Sequence, residues 1–140
     1  MDSRTQECWA SQLGDCAGGI SREHPVSDGI FEGNSISAFG LSWCKDEPKR
    51  IGLPNAVAKI LCGHHNTALS PHDAEATRLS RFLAANLRDD PEVESTIALD
   101  GSLLEKWSLK TFTNLGYMGA LDPLAHRRIA PRQDIDPVTR

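Results

Sequence analysis

Apolar residues recur at three- and four-residue intervals in two stretches of this chain. Leu79, Phe82, Leu83 and Leu87 form the first stripe, which runs up to Asp89-Asp90-Pro91. That spacing lines one face of a helix, and the Asp-Asp-Pro run stops it. Ser70-Pro71 reads as the start, a serine N-cap followed by proline at the first helical position, with Asp73 favourable to the helix dipole. The second stripe is Leu103, Leu104, Trp107 and Thr111, opened by the capping-box pattern from Ser102 to Glu105 and closed by Gly116 after Leu115. Neither helix can bury its stripe alone, so Leu103, Leu104 and Trp107 are expected to pack on Leu79, Phe82 and Leu83.

Upstream, the pattern is shorter and less regular. Residues 21–27 form a brief polar-apolar segment, extended at His24 because Pro25 disfavours the α region before it. On a straight strand Glu23 and His24 point to opposite faces. Residues 28–54 are rich in Gly, Ser and Pro, with apolar stretches at Ile30-Phe31, residues 36–41 and Trp43. They predict loops and one or two short strands, including a hairpin return strand near residues 38–44. Residues 54–61 are apolar enough to pack beside Cys62 and His65, and residues 62–69 begin a helical turn. Beyond Tyr117, Pro123, Pro131 and Pro137 break the pattern around Arg127, Arg128 and Arg132, which predicts an irregular segment. Internal repeats and nucleotide-binding glycine loops are absent from the sequence.

Composition narrows the class. At 140 residues, 39% hydrophobic and 24% charged, the chain suits one compact domain with a modest core that would benefit from a metal staple. The start, MDSRTQECW, has no apolar run after a basic cluster, and nowhere do about eighteen apolar residues occur together. The expectation is a cytoplasmic protein without a membrane partner, whose four cysteines serve as metal thiolates or buried small hydrophobes, not disulfides. A formal net charge of −4 argues against nonspecific nucleic-acid binding by the whole molecule. Residues 41–88, however, carry seven Lys and Arg against four Asp and Glu.

Metal-ligand chemistry concentrates in residues 60–73, ILCGHHNTALSPHD, which hold a thiol, three imidazoles, an amide and a carboxylate. Cys62 and His65 stand at C-x-x-H spacing, so one tight turn can place a sulfur and a ring nitrogen about 3.5 Å apart on a tetrahedral ion. That is half a zinc site. The other half must come from Cys8, Cys16 or Cys44. Cys44 follows Trp43 in an apolar stretch and reads as a buried thiol. Cys8 and Cys16 lie in a turn-rich loop punctuated by Gly-Asp and Gly-Gly. The cluster Lys45, Lys49 and Arg50 reads as a solvated loop.

The order Cys8, Cys16, Glu23-His24-Pro25, then Leu61-Cys62-x-x-His65-Asn66 resembles the HNH endonuclease superfamily over about residues 8–73. The resemblance implies an α+β fold, a small zinc-stabilised ββα-metal unit with additional C-terminal helices. It assigns Cys8, Cys16, Cys62 and His65 to structural zinc, His24 to the general base, and Glu23 with Asn66 to a catalytic divalent ion, Mg or Mn. Asn55 is the best match to the family's middle Asn, with Asn34 the other candidate. Two departures stand out: seven residues separate Cys8 from Cys16, and His65 stands where the family has a cysteine. The implied organisation is an HNH-like zinc-binding domain over residues 1–90, with a C-terminal helix and irregular tail over 91–140 packed on it.

The chemistry suits these residue types. Phosphodiester hydrolysis needs a base near neutral pH and a hard cation at the phosphate; oxygen donors suit Mg or Mn, thiolates and imidazole suit zinc. Two readings survive. One is a metal-dependent nuclease acting on nucleic acid, DNA before RNA. The other is a zinc-binding scaffold or interaction module that keeps the HNH-like frame without hydrolysis. A weaker third reading places His24, Cys62 and His65 on one catalytic zinc, although the H-E-x-x-H helix spacing is missing.

Overall fold

At Cys62 the chain passes directly from strand to helix, and the rest of the fold is arranged about that junction. The computed structural model describes residues 8–88, 92 and 95–121. Strands β1 (Ile20–Glu23), β2 (Ser35–Ala38), β3 (Lys49–Gly52) and β4 (Ala58–Cys62) precede helices α1 (Gly63–Leu87) and α2 (Gly101–Tyr117). β1 and β4 are antiparallel, with Ile20 opposite Cys62 and Ser21 opposite Leu61; β4 then accommodates one extra residue before Glu23 meets Ala58. Together with α1 they make a ββα unit, and the fold is α+β. The hairpin's return strand is therefore Ala58–Cys62, not residues 38–44. Ala38 instead pairs with Lys49, making a separate β2–β3 ribbon inserted between the two strands of the unit. Its turn-rich tip buries Cys44, as its apolar context predicts.

α1 also begins earlier than its proline suggests. Cys62 is its N-cap, its sulfur accepting from the His65 N–H at 3.4 Å, and Pro71 lies inside the helix. Proline there lacks the N–H that would bond the Thr67 carbonyl. Ser70 takes over that acceptor, donating Oγ to Thr67 O at 2.8 Å, and His72 Nδ1 reaches Leu69 O at 2.9 Å. Ser70 thus repairs a helix interior; it does not start one. The expected stop at Asp89-Asp90-Pro91 and the Arg127, Arg128 and Arg132 segment lie outside the described residues.

α2 is capped by Asp100, two residues before the expected Ser102: its carboxylate accepts from the N–H groups of Ser102 and Leu103. The helix continues past Gly116 to Tyr117. α2 does pack on α1, yet the residues it buries most fully are polar, Lys110 and Asn114, while Leu83 and Leu87 of α1 remain exposed. Apolar burial is concentrated instead around β4, where Leu61, Cys62, Cys8 and Ala10 cluster with Trp9 and Leu69 against them. The segment carrying Cys8 is laid along β4 by the Trp9 N–H, which donates to the Ile60 carbonyl. Among the described residues no helix is long and apolar enough to cross a membrane.

Buried Glu75 ties the start of α2 to α1. Its Oε1 accepts from the Asp100 N–H and its Oε2 from Arg78, each at 2.7 Å. These donors hold its carboxyl below the usual glutamate range. A depressed folded-state pKa stabilises the fold above the unfolded value, and the contribution disappears as pH falls through the folded one. In urea melts, the gap between wild type and Glu75→Gln is expected to be constant from neutral pH to the usual glutamate range and to narrow below it. A gap independent of pH would show that the carboxylate charge contributes nothing.

Candidate functional site

Two glycines let the loop before β1 approach the start of α1. A side chain on Gly63 would press on the Gly18 carbonyl at 3.3 Å, and Gly18 itself has a positive φ of 78°. The close approach satisfies N–H groups that a helix start leaves without partners: Gly63 donates to Gly19 O and His64 to Ala17 O. It also delivers Cys16 to the first turn of α1.

There the structure brings together Cys8, Cys16, Cys62 and His65, with one ligand atom from each within 4.8 Å of all the others. His65 Nδ1 lies 3.1 Å from the Cys62 sulfur, 3.3 Å from Cys8 and 3.6 Å from Cys16. Those separations are close to the edge of a tetrahedron built on zinc bond lengths, about 3.5 Å. All but Cys16 are buried. Burial works against ionisation of Cys62, but the N–H groups of His65 and Ala17 and the neighbouring thiols bring it down to about 6. Cys16 is pushed up to about 12 by desolvation and by Cys62 and Cys8, so near neutral pH it needs a cation beside it to become a thiolate. With four protein ligands the cluster has the closed donor set of a structural site, leaving no position for a substrate.

The residue that sequence reasoning missed here is Asp15. Its Oδ1 accepts from His65 Nε2 at 2.8 Å and its Oδ2 faces His64 Nε2 at 3.2 Å. A carboxylate on Nε2 fixes the tautomer that leaves Nδ1 free for a metal, the arrangement that orients ligating histidines. Its signal was an acidic residue directly before a candidate ligand, Cys16. Asp15→Asn is expected to weaken zinc retention by about 10- to 100-fold in competition with a chromophoric chelator; unchanged retention would mean that the carboxylate does not orient the ring.

The remaining predicted residues lie beyond this cluster. His24, just past β1, has Nε2 3.2 Å from the Leu53 carbonyl. Asn55 belongs to the same 3-10 turn, Leu53–Asn55, whereas Asn34 offers its carbonyl to the Leu53 N–H. Asn66, in the first turn of α1, donates Nδ2 to Ser21 Oγ at 3.1 Å. Glu23 is buried and ion-paired: Lys110 Nζ lies 2.7 Å from its Oε1 and 2.6 Å from Asp73 Oδ2. Burial pushes the Glu23 carboxyl up, against the pull of that ammonium. Asp73 also accepts from Ser27 Oγ, which in turn accepts from Trp107 Nε1. Lys110 could have been found from the sequence: it lies in helical phase with Trp107 and Asn114, and a lysine on a buried face needs a buried anion.

Comparison with models of protein families, with curated proteins and with solved structures finds no match to this chain.

Proposed function

We propose that this chain is a zinc-braced ββα hydrolase of the HNH type that cleaves phosphodiester bonds in nucleic acid, DNA before RNA. The observation that carries the reading is the setting of His24. A carbonyl oxygen can only accept, so the bond to Leu53 O puts the ring proton on Nε2 and leaves Nδ1 with its lone pair, ready to take a proton from water. Asn55, which ends the 3-10 turn that begins at Leu53, is the match to the family's middle Asn.

Zinc fits Cys8, Cys16, Cys62 and His65 by donor type and spacing. Bound there it braces the junction between β4 and α1 and the loop before β1. Being fully ligated, it supplies no Lewis acid to the substrate, and His24 is not part of its donor set. Glu23 does not fit Mg or Mn as it stands, because its charge is already met by Lys110, whereas Asn66 uses Nδ2 on Ser21 and can still offer Oδ1.

That ammonium is also what favours the second reading, a zinc-binding scaffold without turnover. The deciding assay is nicking of supercoiled plasmid by the zinc-loaded chain with added Mg²⁺ or Mn²⁺, repeated with Lys110→Gln. Nicking by either protein supports the hydrolase. Silence from both, with zinc content and melting intact, leaves the scaffold.

A further inference from the structure

We propose that Lys110 is a resident cation, carried on α2, that keeps divalent ions off the carboxylate pair of Glu23 and Asp73 while that helix is seated. Glu23 comes from β1 and Asp73 from α1, two elements of the ββα unit, whereas the ammonium between them comes from outside it. Lys110 is 4% exposed and Glu23 5%. An ammonium so enclosed cannot reach a phosphate, so it acts as a plug and not as a catalytic cation. Lys110 pairs with both carboxylates, and a divalent ion is the other kind of cation that two such oxygen donors accept.

α2 contributes a second fastening at the same place. Trp107, one helical turn before Lys110, donates its indole N–H to Ser27 Oγ at 2.8 Å, and Ser27 donates to Asp73. Withdrawing α2 removes both contacts together and leaves three oxygen-bearing groups, Glu23, Asp73 and Ser27, the donor type that Mg²⁺ and Mn²⁺ select. Only the consequence for activity rests on the hydrolase reading; the binding claim stands apart from it.

The test is the effect of paramagnetic Mn²⁺ on the indole N–H resonances of the zinc-loaded full chain, with a variant lacking both carboxylates as reference. In the wild type the Trp107 signal is expected to survive one equivalent of Mn²⁺. In Lys110→Gln it is expected to vanish at one equivalent, and to survive again in Lys110→Gln combined with Glu23→Gln and Asp73→Asn. Loss of the wild-type Trp107 signal at one equivalent, or its persistence in Lys110→Gln, overturns the proposal. Should Lys110→Gln not fold alone, folding rescued by Mn²⁺ but not by KCl of equal ionic strength is the same positive result, and failure of rescue overturns it. A Lys110→Gln protein that binds Mn²⁺ yet never nicks plasmid keeps the plug and removes the hydrolase.

Discussion

Cys62→Ala is expected to unfold the ββα unit outright, with loss of the far-UV helical signal at room temperature and of zinc from the purified protein. Structural zinc contributes roughly 10 kcal/mol or more to apparent folding free energy near neutral pH, as much as a small domain's whole stability of about 5–15 kcal/mol. The apolar core offers no reserve, because Cys8 and Cys62 belong both to it and to the metal cluster, beside Ala10 and Leu61. A strong chelator should reproduce the effect in the wild type, and zinc, not Mg²⁺, should reverse it. Native protein carrying no zinc near one equivalent, or a Cys62→Ala variant that melts like wild type, would remove the brace and the functional reading built on it.

The second large effect is on rate. A positioned general base contributes about 10²- to 10⁴-fold, so His24→Ala should slow plasmid nicking by that order, in the Lys110→Gln background where the wild type is silent, while zinc content and melting temperature stay at the parent's values. His24 is only half-buried and makes one hydrogen bond, to Leu53 O, so its removal should leave the fold standing. Equal nicking by the two proteins would assign any activity to a contaminant or to another base. Asn66→Ala gives the contrast: if it helps to receive the ion, the variant needs more Mg²⁺ or Mn²⁺ but retains the base.

Features that were legible in the sequence share a property: they are local. C-x-x-H spacing commits Cys62 and His65 to one helical turn, and the stripe from Leu103 to Trp107 commits those residues to a helix whatever they touch. Errors arose where distant groups decide. Ser70-Pro71 looks like a helix start because the usual cost of an interior proline is a lost hydrogen bond, but Ser70 itself satisfies the freed Thr67 carbonyl. The true N-cap is a cysteine, a residue outside the usual capping set, and it can serve because its sulfur accepts from His65 N–H. The return strand was misplaced because the ribbon of β2 and β3 is inserted between its partners, so sequence proximity pointed to the wrong pairing. Glu23 and Asn66 looked like two ligands of one ion. What no local pattern announces is the lysine 87 positions after Glu23 that pairs with that carboxylate.

Trp9 connects the two ends of the molecule. It follows Cys8 directly, and its indole donates to the fully buried Asn114 across 105 positions of chain, while Asn114 in turn holds the Pro25 carbonyl. Clamping Cys8 to His65 roughly halves the chain that must be closed for that contact. Halving a loop lowers its closure cost by only about 0.6 kcal/mol, so chain shortening is a minor route by which metal reaches α2. The larger route is steric. With Cys8 fixed, Trp9 has one place to be, and α2 is met by an indole already aimed at it. Folding should accordingly show an order, metal capture first and arrival of the last helix second, with Trp9 fluorescence responding to both steps.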